Sequence, residues 1–346
     1  MSLVATLNVL NTKVAADQTD FIVYVDLADM PALFWSTVAN GGGDIRCYKS
    51  DGTTELAREV VTCDTATDTG EMHIKYAGTL SSSVDTEIQI HADGTSSEPA
   101  VTATYGRNNV WTAYTMVSHM YDLTTSTVQD STGSTTLTKA TASNPNEITT
   151  TTPFRTSQSY QTQGDYIVPA AYFNHANITY QAWVRWNAWT STASYPLAKR
   201  SSSSNGGVEL KCSGATGDTH GITLRISSTW QGATGPNTDI NLDTNYHVVG
   251  TYDGTSIYVY EDGVQGTVSS YSGTIPNLNI KTWIGGHVGY PSLYYTQGSI
   301  GEARVSPSAL SASWIETEYN NQSSASTFYS LGGATASDNA LAMCNF

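Results

Sequence analysis

Short segments in which apolar and polar side chains alternate recur along the chain, each bounded by Gly, Asn, Asp or Ser. A period of two is the mark of a half-buried strand. Residues 3–10 and 21–27 read as the first strands. Residues 44–49 and 56–62 flank Ser50-Asp51-Gly52-Thr53, where Asp-Gly predicts a hairpin turn. Residues 72–76 and 86–91 continue the pattern. A short helix is predicted from Pro31 to Val38, with Pro31 in its first turn, where a missing N–H costs nothing. These elements predict a small β-rich unit ending near Gly106.

Residues 124–165 are dense in Thr, Ser, Asn and Gln, with four threonines from Thr149 to Thr152. They read either as a linker or as short strands and loops inside a second domain, and β-branched Thr suits a pleated surface better than a tether. From Ile178 to Trp189 the alternation is clean. Ile178, Tyr180, Ala182, Val184 and Trp186 form one face, expected in the core. Thr179, Gln181, Trp183, Arg185 and Asn187 form the other, expected to face solvent or a ligand. Tyr246 to Thr251 and Ser256 to Tyr260 flank Tyr252-Asp253-Gly254-Thr255, a second hairpin signal. Leu310, Trp314, Ile315 and Tyr319 have helical spacing, with Ser313 and Glu316 as a capping box or Ser311 as the cap. No unit recurs, which argues against a solenoid or propeller.

Length and charge narrow the classes. The 346 residues suggest two domains. Charged residues are only 13 %, yet 30 acidic residues face 15 basic ones. Phosphate binding needs clustered Lys and Arg, and Lys199-Arg200 is the only adjacent basic pair, so nucleic acid is not expected as a partner. No apolar run approaches the roughly 20 residues of a membrane span, and the start Met1-Ser2-Leu3-Val4-Ala5-Thr6 carries no signal-peptide pattern. Cys47, Cys63, Cys212 and Cys344 follow no metal spacing and are expected reduced and buried, with a Cys47–Cys63 bridge as the alternative.

Three pieces of the second half resemble the laminin-G-like, concanavalin A-like jelly roll. They are Asn177 to Arg185; Tyr246 to Thr255, running on to Glu261-Asp262-Gly263; and Gly298 to Ser306, followed by Ala309-Leu310-Ser311 and Trp314-Ile315. This resemblance spans about residues 110–332. The first half is similar to a domain of unknown function that precedes such jelly rolls, through Gly41-Gly42-Gly43-Asp44-Ile45-Arg46, Asp51 to Leu56, Arg58-Glu59-Val60-Val61 and Val110-Trp111. Glu318 to Gln322 and Phe328 to Gly332 resemble the close of that tandem. Two places depart from the family pattern: Gly301-Glu302, where it has Asp-Glu, and Ile90-His91-Ala92-Asp93. The expected fold is all-β: an N-terminal β-sandwich over residues 1–107, a jelly roll over 108–332 and a tail over 333–346. The pairing is similar to bacteriophage and prophage virion proteins, which implies a tail, fibre or capsid-decoration component located in the virion. Its implied partners are other virion proteins and a host-surface glycan or protein. A secreted carbohydrate-binding adhesin and a jelly-roll glycoside hydrolase are the alternatives.

Glycoside hydrolysis needs two carboxylates flanking a sugar. The Glu-x-Asp-x-x-Glu strand of the related glycanases is absent, as are a Gly-x-Ser-x-Gly elbow and a His-Glu-x-x-His motif, so no catalytic residue is expected. His119 and His247 lie in alternating segments and are expected to be structural. The family resemblance implies a calcium site at Asp122, Asp130 and Glu302; otherwise the two aspartates would organise turns and Glu302 would pair with Arg304. Carbohydrate contact would use aromatic faces beside polar groups. The loop from His287 to Tyr295 carries His287, Tyr290, Tyr294 and Tyr295, and Trp230 opens another Gly-rich loop, so these five are the candidate ligand-binding residues. The abundance of Tyr, the low charge and an apolar tail with Leu341, Met343 and Phe346 point to a homo-oligomer, a trimer by analogy with phage fibres.

Overall fold

In the first unit, a five-stranded antiparallel sheet is ordered Tyr329–Gly332, Ser2–Val9, Thr86–Ala92, Arg46–Lys49, Glu55–Leu56. A three-stranded sheet is ordered Ile22–Asp26, Thr69–Lys75, Arg58–Asp64. This is a computed structural model, and it describes residues 2–149, 153–189, 193–201, 206–213 and 219–332. No helix among the described residues is long and apolar enough to cross a membrane. The alternating residues Ala5, Leu7 and Val9, and Ile88 and Ile90, are buried, as the sequence pattern predicts. The Asp51-Gly52 hairpin forms: Gly52 takes a φ of +65°, and Asp51 Oδ1 accepts the N–H groups of Thr53 and Thr54 at 2.8 and 2.7 Å. A helix covers Ala32–Thr37, with Pro31 as its N-cap.

The partition of the chain differs from the expected one. The first unit runs to Val110 and then takes in the described residues from Asn320 onward, while Trp111–Tyr319 form the second. The boundary expected at 332 therefore moves back to 319. The cause is strand pairing. Tyr329–Gly332 lies antiparallel on Ser2–Val9, with Val9 opposite Tyr329 and Thr6 opposite Gly332. Local periodicity marks a strand and leaves its partner open. The expected tail over 333–346, with Leu341, Met343, Cys344 and Phe346, lies outside the described residues.

The second unit is two antiparallel sheets. The first is ordered Asn146–Thr149, Thr156–Tyr160, Gly298–Ser306, Ile178–Trp186, Asn245–Tyr252, Ser256–Glu261, Val264–Ser270, with Met116–Ser118 also paired to Gly298–Ser306. The second is ordered Asp122–Thr124, Thr127–Val128, Leu137–Lys139, Ile167–Pro169, Trp283–Ile284, Ala193–Arg200, Gly206–Ser213, Thr219–Ile226, Thr229–Thr234. Val184, Trp186, Val248, Ile257, Ile300 and Val305 from one sheet meet Leu197, Leu210, Ile222, Leu224 and Ile284 from the other in one core. The threonine-rich stretch contributes short strands, as the β-branched composition favours, and Thr150 to Thr152 lie outside the described residues.

One face expectation is overturned. Thr179, Gln181 and Trp183 are buried, not solvated. Trp183 stacks on His247 at 5.1 Å and on Tyr319 at 5.9 Å, and Phe154 meets it edge-on. Tyr319 belongs to the helix Ala312–Ser323, whose start is capped by Ser311 Oγ accepting the Trp314 N–H at 3.1 Å. Alternation separates two faces of a strand, but what comes to lie over each is decided by elements distant in sequence.

Candidate functional site

The outward face of the nine-stranded sheet is built by register. Leu197, Leu210, Ile222 and Leu224 point into the core. Their neighbours therefore point out, because successive side chains in a strand alternate. One cross-strand row on that outer face reads Trp283, Ala198, Glu209, Thr223, Gly232. A neighbouring row brings Arg225 opposite Trp230. A third places Lys211 opposite Gly221.

Four of the five candidate ligand-binding residues converge here. The His287 ring lies 5.5 Å from Tyr290 and 5.3 Å from Tyr294, and Tyr290 and Tyr294 meet edge-on at 5.6 Å. Tyr195 closes this aromatic group, 5.4 Å from both His287 and Tyr294. Backbone N–H groups of Gly289 and Tyr290 donate to His287 Nδ1 at 3.1 and 3.2 Å. The ring proton therefore sits on Nε2, which donates to Glu209 Oε1 at 3.3 Å. Arg200 Nη1 donates to the same oxygen at 2.8 Å, and Thr223 Oγ1 donates to Oε2 at 2.8 Å. The Arg200 guanidinium in turn lies 4.5 Å over the Trp230 ring. Trp230 and the His287 loop, far apart in sequence, are thus joined through Arg200 and Glu209. Tyr295 is not part of this group; its backbone pairs with Gly286.

Burial acts to raise the Glu209 carboxyl, but hydrogen bonds from His287, Arg200 and Thr223, with the Arg200 charge, outweigh it and hold the group below its ordinary range. It is an anion already spent on protein donors. The strands Ala193–Arg200, Gly206–Ser213, Thr219–Ile226 and Thr229–Thr234 carry no second carboxylate.

Beside the loop, Tyr166 and Trp283 stack with ring centroids 3.6 Å apart. With Gln163, Gly164, Pro291 and Ser292 they line a cavity of about 380 Å³. Both rings are half-buried, so each offers an apolar face together with an accessible edge. Sequence reasoning missed Tyr166, Tyr195, Trp283, Arg200 and Glu209. Trp283 sits in a two-residue strand and Tyr166 just before a three-residue one, too short for a period to register. The pairing of Arg200 with Trp230 requires the fold.

The three carboxylates expected to hold calcium are not brought together. Among the described residues their oxygens do not gather within ligand reach of one another. Asp122 is engaged by Lys139 Nζ at 2.6 Å and Gln158 Nε2 at 2.7 Å. Asp130 accepts from the N–H groups of Val117, Thr132, Ser134 and Thr135 and so organises its own turn. Glu302 accepts from His119 Nδ1 at 2.8 Å and Arg304 Nε at 2.6 Å. The expectation of a calcium site at these residues is corrected: their lone pairs serve turn and ion-pair partners, the structural reading of the same residues. His119 and His247 are buried. Burial first, and then the Arg304 charge, lower the His247 ring to about 3.

Cys47 and Cys63 are free and buried, so the Cys47–Cys63 bridge is not formed, and Cys212 is buried. Burial pushes the Cys47 thiol up to about 12 and the Cys63 thiol up to about 11.

Residues 159–316 match the family model of the concanavalin A-like lectin/glucanases superfamily, and this part of the chain is a lectin-like jelly-roll domain. No curated protein matches the chain. Solved structures similar to it include domain 4 of AbnA, a GH43 extracellular arabinanase from Geobacillus stearothermophilus, in complex with arabinotriose. That match has 17 % identity over 60 % of this chain and 98 % of that one, with a TM-score of 0.47. A heptameric SAP-like pentraxin from Limulus polyphemus is 15 % identical over 46 % of this chain and 79 % of that one, with a TM-score of 0.39. A Trypanosoma rangeli sialidase is 12 % identical over 69 % of this chain and 41 % of that one, with a TM-score of 0.44.

Proposed function

We propose that this chain is a non-enzymatic virion protein of a bacteriophage or prophage, whose jelly roll binds a host-surface glycan through the outward face of its nine-stranded sheet. The observation that carries the glycan reading is the stacked Tyr166–Trp283 pair, lining a cavity of about 380 Å³ next to the His287–Tyr290–Tyr294 group. Sugars present C–H patches to ring faces and hydroxyl rims to polar side chains, and Gln163 and Ser292 line the same cavity. The non-enzymatic reading rests on Glu209: one carboxylate, with both oxygens taken by protein donors, cannot supply the acid and the nucleophile or base of glycoside hydrolysis. The virion assignment rests on the resemblance of the tandem to phage proteins, as does the expectation that copies assemble as a homo-oligomer, three-fold by analogy with fibres.

Glycan-array binding followed by calorimetry tests the reading. The full chain is expected to bind a bacterial surface polysaccharide, and Trp283→Ala with Tyr166→Ala to weaken it at least about tenfold, the loss of about 1.4 kcal/mol of stacking. An array with no ligand, or one whose ligand is indifferent to both changes, overturns it. Release of reducing sugar from the bound glycan would replace the binding reading with the hydrolase. Capsid, portal or tail genes beside this one are the outcome expected for a virion component.

A further inference from the structure

The four strands Ala193–Arg200, Gly206–Ser213, Thr219–Ile226 and Thr229–Thr234 invert the charge balance of the chain. The whole sequence has 30 acidic and 15 basic residues, yet these strands carry Lys199, Arg200, Lys211 and Arg225 against the single carboxylate of Glu209. Lys199 is turned away from the outer face; its ammonium donates to the Phe173 carbonyl at 2.6 Å. The other three share that face with Trp230. Arg200 is held by Glu209. Lys211 and Arg225 make no ion pair with any described residue, although both are half-buried. Burial lowers the Lys211 ammonium below the ordinary lysine range, against the opposing charge of Glu209 and with that of Arg200, so this cation is partly stripped of water. The rows beside them are bare of side chains at Gly221 and Gly232. A Cβ on Gly232 would come within 2.7 Å of Thr223 Cγ2. The result is a strip in which a tryptophan ring lies on the same face as two cations that make no ion pair, with the Thr223 methyl packed over Gly232.

We propose that this strip binds a carboxylated polysaccharide, with sugar carboxylates against Lys211 and Arg225 and a sugar ring on Trp230. The inference rests on the glycan-binding reading above and adds the chemical class of the ligand. An anionic chain of this kind supplies what the strip lacks, a charge of opposite sign on a ligand that also has an apolar ring face. The loop around Tyr290 lies over the strand Ala193–Arg200 and separates this strip from the Tyr166–Trp283 cavity, so the two places can be altered separately.

The test uses the full chain with three probes, polygalacturonate, hyaluronate and polysialic acid, each paired with its carboxyl-reduced form. The expected result is that at least one acid form binds about tenfold or more better than its reduced form, with the preference shrinking as salt rises from 50 to about 500 mM. Lys211→Met with Arg225→Met is expected to abolish the preference. Trp230→Ala is expected to weaken both forms. The idea is overturned if none of the three acid forms is preferred, or if the preference survives the double substitution. Loss of all glycan binding on changing Tyr166 and Trp283, with the acid preference absent from the start, would sink this inference and leave the function standing. Absence of binding to every glycan would sink the function itself.

Discussion

Asp262 Oδ1 accepts the backbone N–H of His247 at 2.8 Å, and the Asp262 carboxyl and the His247 ring titrate in opposite senses. His247 is lowered from 6.5 to about 3, first by burial and then by the Arg304 charge. Between those values the unfolded chain binds the proton and the folded one does not, so its contribution to stability falls as pH drops from 6.5 towards 3. Asp262 is raised from 3.8 to about 6, chiefly by burial. Between those values the folded state holds the extra proton, and stability falls as pH rises through the window. In the overlap, about pH 4 to 6, the two slopes oppose each other. Other shifted groups, His91 and His175 among them, add slopes of their own, so urea titrations across this range are read against the native chain. Relative to it, the slope of stability with pH should become more positive for Asp262→Asn and more negative for His247→Gln. Parallel profiles for all three proteins would contradict the assignment. The slopes are the readout, since either change also alters packing.

At the scale of elements, the strand Ile22–Asp26 shows how an edge is completed without a neighbouring strand. It pairs with Thr69–Lys75 on one side only. On the other, Asn321 Oδ1 accepts the Tyr24 N–H at 2.6 Å and Asn321 Nδ2 donates to the Tyr24 carbonyl at 2.9 Å. One side-chain amide does here what a strand's peptide would do, and both bonds are buried. Asn321→Ala would leave a buried N–H and a buried carbonyl without these partners. A loss of about 2–4 kcal/mol in unfolding free energy is expected by denaturant titration. A change under about 0.5 kcal/mol would refute this role. The motif Glu318 to Gln322 was legible in the sequence as part of a tandem ending. Its work as an edge cap was not, because Tyr24 and Asn321 are joined only by the fold.

At the scale of the molecule, the jelly roll Trp111–Tyr319 is an insertion between two stretches of the first unit, so that unit is discontinuous in sequence. Exposed apolar side chains bear on assembly. Val264 and Val268, both in the strand Val264–Ser270, are 59 % and 46 % exposed. Burying such residues between copies is a favourable use of apolar area. Light scattering of the full chain at micromolar concentration is expected to give a multiple of 37.0 kDa, reduced by Val264→Asp with Val268→Asp. A mass of one chain, unchanged by the substitutions, would remove the case for a self-sufficient oligomer.

What the sequence determined by itself is the content of local patterns: the all-β class, the hairpins at Asp51-Gly52 and Asp253-Gly254, the helix near Trp314, and the aromatic loop with the His287 tyrosines; Trp230, expected to open a loop, lies in the strand Thr229–Thr234. Alternation and turn chemistry act over a few residues, so a few residues suffice to read them. The tertiary structure alone decided which strand the C-terminal residues join, that the Trp183 face is covered, that Asp122, Asp130 and Glu302 serve separate partners, and that Arg200 and Glu209 bring Trp230 and His287 into one group. Each of these depends on contacts between residues distant in the chain, where register and packing choose the partner and no local period records the choice.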